Sequence, residues 1–160
     1  MMNKYAKFRE SSKSKTSVGE AKEVSESYAK QIENVTKQQR KIKILIVDDE
    51  PHIVKLIRLS LDSQKYEIYE AYSGIEALEI AKTVYPDLIT LDIMMPNMSG
   101  YEVCKLLKKN PLTSYIPILM LSAKTELKDK MASIMTGADD YLTKPFDPDE
   151  LENKIKVNLG

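Results

Sequence analysis

From Lys41 onward the chain alternates strand-length apolar runs with stretches of helical periodicity, and each run stops at a polar or charged residue. Ile44 to Val47 is uniformly apolar, as a central strand covered on both faces must be. Leu88, Ile89 and Leu91 form a second such run, and Pro117 to Leu121 a third. Tyr66 to Ala71 is strand-like but interrupted by charge, which suits an edge position, and Asp140 to Leu142 is a brief fifth strand. Between them lie helical signals. Pro51 suits a first helical turn, and Ile53, Val54, Leu56, Ile57, Ser60 and Leu61 follow as a broad buried face. Ser73 with Glu76, and Ser99 with Glu102, are capping-box pairs that open two more helices, the first through Lys82, the second ending by Asn110–Pro111. A fourth helix runs through Leu127, Met131 and Ile134 to a Gly137 cap, and Asp147, Pro148 and Glu150 start the last. Five βα units in succession predict an α/β fold, a parallel sheet with helices on both faces in three layers.

Charge separates the two ends of the chain. Residues 1–41 carry ten Lys/Arg against five Asp/Glu, and the remainder fourteen against nineteen, for net charges of +5 and −5. Residues 1–40 therefore read as a polar, basic extension and 41–160 as the globular domain. Met1 to Gly19 is expected to be a flexible tail. From Glu20 to Arg40, Val24, Tyr28, Ile32 and Val35 recur every three or four residues, as on one stripe of a helix. That helix is expected to be solvated, with docking on the domain or pairing with a second copy as the alternative. A mildly acidic domain argues against nucleic acid as its direct ligand. No run is long enough to span a membrane, and no apolar signal core opens the chain. The single cysteine, Cys104, permits no internal disulfide, and a cytoplasmic protein is expected.

In a parallel sheet the carboxyl ends of the strands are where ligands bind. Here they would deliver Asp48 and Asp49, Asp92, Ser122 and Lys144 to one edge. Two unit charges 4 Å apart at an effective dielectric near 20 cost about 4 kcal/mol, so three gathered carboxylates call for a cation. A few hard oxygen ligands with room for water and phosphate oxygens suit magnesium, Mg2+, better than a full Ca2+ cage. Taken singly these residues are bland: turn aspartates, a helix-capping serine, a surface lysine. His52 reads as exposed and inert, while Cys104, Met120, Met131 and Met135 read as core.

Together, Asp48-Asp49, DIMMPNMSG around Asp92, LSA at Ser122 and YLTKPF at Lys144 resemble the receiver domain of two-component response regulators, from Lys41 to Leu159. The resemblance implies a flavodoxin-like sheet of order 2-1-3-4-5. It implies Asp92 as phosphoacceptor, and Mg2+ (or Mn2+) on Asp49, Asp92 and the Met94 backbone carbonyl, with Asp48 acting through water. It further implies Lys144 on the phosphoryl group across a cis Lys144–Pro145 bond, and Ser122 and Tyr141 as the switch pair. A sensor histidine kinase or phosphotransfer protein would be the donor, and a downstream protein the target. The responding face would be the helix through Met131, the fifth strand and the last helix. A second copy of the chain could use that face or the N-terminal helix. No direct nucleic acid or membrane partner, and no catalytic activity beyond the protein's own phosphorylation and dephosphorylation, is expected. A stand-alone receiver is the leading expectation, and a receiver with an output domain beyond Gly160 its rival. An Mg2+-dependent phosphatase with an Asp nucleophile is the rival of another class. Similar phosphatases carry a second Asp two residues after the nucleophile, where this chain has Met94. Neither a P-loop nor a G-x-G-x-x-G motif occurs.

Overall fold

The computed structural model describes residues 18–123, 131–132 and 134–160, and the chain divides into two units at Arg40/Lys41. In the first, the described residues form helix α1 (Val18–Gln39), so Val18 and Gly19, expected in the tail, are helical instead, while the rest of that tail lies outside the described residues.

The second unit runs β1 (Ile42–Val47), α2 (Pro51–Ser60), β2 (Tyr66–Ala71), α3 (Gly74–Val84), β3 (Leu88–Asp92), α4 (Gly100–Lys109), β4 (Ile118–Ser122), β5 (Asp140–Thr143) and α5 (Pro148–Leu159). All four pairings are parallel and the strand order is β2-β1-β3-β4-β5, the flavodoxin-like arrangement. Charged β2 lies at an edge; apolar β1, β3 and β4 are central and buried.

Strand alternation divides the core in two. Leu45, Val47, Ile89, Leu91 and Met120 pack with Ala77 and Ala81 of α3 and Val103, Cys104 and Leu107 of α4. Ile44, Ile46, Leu88, Leu119 and Leu142 pack on the opposite face with Val54 and Ile57 of α2 and Leu151 and Ile155 of α5. The buried stripe of α2 is narrower than the sequence suggests. Leu56 is exposed, because two residues beyond Val54 place it about 200° around the helix from the buried row.

The caps form with one variation. Ser99 and Glu102 make the full reciprocal box. Ser73 Oγ accepts from Glu76 N at 3.2 Å, but Glu76 Oε2 accepts from Tyr72 N at 3.0 Å rather than from Ser73. Between β4 and β5, residues 131–132 and 134–135 are helical; Leu127 lies outside the described residues. Gly137 caps that turn at φ 84°, its N–H donating to Ile134 O at 3.1 Å. The expectation that Met131 and Met135 are core is overturned: they are 55% and 85% exposed, whereas Met120 is buried. With Ile134 they form a stripe at i, i+3 and i+4 that faces outward. Apolar periodicity shows that residues share a side of a helix, not which side meets the sheet. Among the described residues, no helix is long and apolar enough to cross a membrane.

Candidate functional site

Register brings the acidic residues and Lys144 together. Val47 pairs with Leu91, Asp92 with Leu121 and Leu121 with Leu142, so Asp48 and Asp92 leave adjacent strands at one level. Side chains alternate, and Ile46, Leu88 and Leu142 all face the α2/α5 core. Asp48, Asp92 and Lys144 follow these residues at even spacings of two or four, and so emerge on the same face. Lys144 starts two residues beyond that level, and its long side chain reaches back. Its Nζ donates to Asp48 Oδ2 at 2.6 Å and to Asp92 Oδ1 at 3.0 Å. The other Asp48 oxygen, Oδ1, accepts from Glu50 N at 3.0 Å. Asp48, Asp49 and Asp92 each offer a carboxylate oxygen, all within 4.8 Å of one another.

Ser122 and Tyr141 occupy the other face. Ser122 ends β4, is 1% exposed, and its carbonyl accepts from Lys144 N at 2.6 Å. It follows Met120 by two residues, and Met120 pairs with Tyr141, which packs half-buried against the α3/α4 core. Hydroxyl and aromatic thus share one side of β4–β5, while Lys144 reaches the carboxylates from the other. The Lys144–Pro145 peptide is cis.

Asp92 leads into a tight turn that carries Met94. Ile93 N donates to Leu121 O at 3.1 Å, and Gly100 N closes the turn onto Ile93 O at 2.9 Å. Inside it, Met98 N donates to Pro96 O at 2.8 Å around Asn97, whose φ is 66°. Asn is among the few residues that accept that conformation readily. A Cβ on Gly100 would stand 2.1 Å from the Asp92 carbonyl oxygen and 2.9 Å from its carbon, so the first turn of α4 lies directly on the Asp92 backbone. Sequence reasoning gave Gly100 no role. The signal was the glycine standing at the first position of a capped helix, where a side chain is ordinarily tolerated.

The electrostatics follow from burial. Asp92 is 6% exposed; desolvation first, and then the Asp48 charge, push its pKa up from 3.8 to about 6, with a smaller push from Asp49 and a partial offset by Lys144. For Lys144, desolvation pulls downward, but its bonds to Asp48 and Asp92 outweigh it and the ammonium is held above its ordinary value. Three carboxylates against one ammonium leave an excess of two negative charges at neutral pH. Hard oxygens at this spacing, with that excess, fit Mg2+. Both oxygens of Asp48 are already engaged, which suits the water-mediated part given to it, and Asp92 commits Oδ1 to Lys144.

Comparison with known proteins agrees with this geometry. A family model described as the response regulator receiver domain matches residues 44–156. Over 117 residues the chain is 49% identical to the alkaline phosphatase synthesis transcriptional regulatory protein PhoP of Bacillus subtilis (strain 168), covering 73% of this chain and 48% of that protein. It is 41% identical over 117 residues to the DNA-binding dual master transcriptional regulator RpaA of Synechocystis, again covering 73% and 48%. The chain spans about half the length of the curated relatives it matches. Among solved structures, the chemotaxis protein CheY4 of Vibrio cholerae superposes with a TM-score of 0.71 at 33% identity, over 74% of this chain and 99% of that one. A CheY-like receiver domain protein from Methanospirillum hungatei JF-1 superposes at 0.70 with 31% identity, over 75% and 94%. The strand order, the acidic strand ends and these matches converge on one conclusion: the chain belongs to the family of response regulator receiver domains.

Proposed function

We propose that Asp92 accepts a phosphoryl group from a phosphohistidine on a sensor histidine kinase or phosphotransfer protein, and that the resulting acyl phosphate signals to a downstream protein. The observation that carries this reading is the Lys144 ammonium bridging Asp48 and Asp92 beside a third carboxylate, at the carboxyl edge of a parallel sheet.

Asp92 attacks phosphorus through a carboxylate oxygen, the P–N bond breaks, and the histidine nitrogen keeps the electron pair. Such transfer depends on positioning and charge neutralisation rather than on covalent help from the protein. Asp49, Asp92 and the Met94 carbonyl, with Asp48 through water, would hold a divalent ion (Mg2+ or Mn2+), which would supply the positive charge that lets two anionic groups approach. Lys144, whose Nζ lies 3.0 Å from Asp92 Oδ1, contacts the new phosphoryl oxygens. The acyl phosphate adds nearly two negative charges beside a buried lysine. Ser122 donates its hydroxyl to the phosphoryl group, Tyr141 moves into the space released, and the face built from residues around Met131, β5 and α5 changes shape. Catalysis is confined to the protein's own phosphorylation and dephosphorylation, in the cytoplasm. A receiver acting alone through a protein partner is the first form of this reading. The relatives' extra length favours a second, in which the same face controls an attached DNA-binding module; the reading frame past Gly160 separates the two.

Incubation with a small acyl-phosphate donor tests the proposal. With Mg2+ at pH 7.5 the intact mass is expected to rise by one phosphoryl group, and chelation of the metal is expected to prevent it. Proton and cation compete for Asp92, whose carboxyl titrates at about 6 before metal is added. Mg2+ affinity, read by calorimetry, is therefore expected to fall by about tenfold per pH unit once pH drops well below 6. Affinity unchanged between pH 7 and pH 5 would remove Asp92 from the ligand set.

A further inference from the structure

We propose that α1 pairs with the α1 of a second copy as a parallel, in-register two-stranded coiled coil, making the chain a dimer whether or not it is phosphorylated.

The helix is long enough to be read in heptads. Setting Val18 at position a places Val18, Ser25 and Ile32 at a and Ala21, Tyr28 and Val35 at d. Gln39 is the next a position, so seven positions fall at alternating steps of three and four over α1; five are apolar, Ser25 and Gln39 are polar, and Val24 flanks the seam at g. A period of 3.5 rather than 3.6 residues is the pattern that keeps one stripe against another supercoiled helix; a helix docking on a globular surface has no need of it.

Charge argues for the same occupant. Among residues 18–36 the charged positions are Glu20, Lys22, Glu23, Glu26, Lys30 and Glu33. Glu20, Glu23, Glu26, Lys30 and Glu33 fall at b, c or f, on the outside of such a coil, and only Lys22 at e. Two copies can therefore meet without opposing like charges across the seam. Within a parallel coil, β-branched Val18 and Ile32 at a suit two strands, although the d positions Ala21, Tyr28 and Val35 carry no Leu. Among the described residues no other element belongs to the unit of residues 1–40, and Tyr28, Ile32 and Val35 of the stripe are exposed. An isolated helix of this length with one glycine and several β-branched residues is marginal in water, and a partner supplies the missing burial.

The interface is small, on the scale of complexes that bury less than about 1,200 Å2, so micromolar dissociation is the expected range. Only Arg40 and Lys41 separate α1 from β1, so a parallel coil would tether two receivers at their N-terminal ends. Phosphorylation would then act within a standing pair instead of creating one. The inference rests on α1 alone and stands or falls apart from the role of Asp92.

Sedimentation equilibrium of the full chain at tens of micromolar tests it. The expected mass is twice the 18.2 kDa of one chain, with and without an acyl-phosphate donor. Ile32→Asp is expected to halve that mass, and Glu26→Lys, on the outer face, to leave it unchanged. Ser25→Cys is expected to form a covalent dimer on addition of oxidised glutathione, since a parallel coil sets residue 25 against itself. The native Cys104 is buried, so the wild-type chain is the control. A wild-type monomer, a dimer that survives Ile32→Asp, a dimer that requires phosphorylation, or a Ser25→Cys chain that does not cross-link would each overturn the proposal.

Discussion

Asp92→Asn is expected to abolish phosphoryl labelling altogether and yet to leave a more stable fold at neutral pH. The amide keeps the shape of the carboxyl group but cannot serve as the nucleophile, so the intact mass should not change after exposure to an acyl-phosphate donor. The stability gain follows from linkage. In the folded state the Asp92 carboxyl holds its proton up to about pH 6, against 3.8 for an unperturbed aspartate. Its contribution is thus fully present below the unfolded value and is lost as pH rises through the folded one. Between pH 4 and pH 6 the wild-type fold loses stability through this group, because an anion is being forced into a buried site beside Asp48. The shift corresponds to about 1–3 kcal/mol once ionisation is complete. Urea titrations should therefore show Asp92→Asn more stable than wild type by that order at pH 7.5, and equal to it near pH 4. A variant that is less stable at pH 7.5 would mean that the bond to Lys144 outweighs the cost of burying the charge. Retained labelling would remove Asp92 from the phosphoacceptor role.

Gly100→Ala is expected to damage the site from outside it. The added methyl would stand 2.1 Å from the Asp92 carbonyl oxygen, and backbone cannot swing aside as a side chain can. Either α4 lifts from the sheet or the end of β3 moves, at a cost of at least about 3 kcal/mol. A displacement approaching 1 Å at a reacting group can slow a positioned reaction by about 100-fold, so labelling should slow by that order in whatever variant protein folds. Gly74→Ala is the instructive comparison. There the methyl would meet Val103 Cγ2 at 2.8 Å and Met98 Sδ at 2.9 Å, both side-chain atoms. The Met98 thioether can give way, whereas buried Val103 and the Met98 Cβ at 3.0 Å can do so less, so the loss should be smaller than for Gly100→Ala, with little effect on labelling. Denaturation midpoints that rank Gly74→Ala below Gly100→Ala would contradict the account of the turn.

The sheet was legible in the sequence because its physics is local. Val47 and Leu91 close apolar runs that only a doubly covered strand explains, and Glu67 and Glu70 mark β2 as an edge. Asp48, Asp49, Asp92 and Ser122 were legible because they follow such runs, and Lys144 because it follows the brief edge strand Asp140–Thr143. Their mutual arrangement was only partly so. The resemblance gave Lys144 to the phosphoryl group on Asp92, whereas its shorter contact is with Asp48, a consequence of register across three strand pairings that no local pattern encodes. Gly100 escaped for a similar reason: its necessity lies in how closely α4 approaches β3, a distance between elements. Met131 and Met135 were misjudged because a short apolar stripe beside a four-residue edge strand can face either way. The stripe of α1 was legible from Val24, Tyr28, Ile32 and Val35, but not the helix start, which lies at Val18. Met94, where a phosphatase of the rival class would carry its second aspartate, sits 62% exposed in the turn after Asp92, and the family match removes the remaining support for that reading.

One carboxylate among the three is expected to take the phosphoryl group, and its position can be read directly. After treatment with an acyl-phosphate donor and Mg2+, borohydride reduces an aspartyl phosphate to homoserine, which peptide mass spectrometry locates. Homoserine at position 92 alone is the result expected here. Homoserine at position 48 or 49, or a phosphoryl group found on His52 instead, would contradict it.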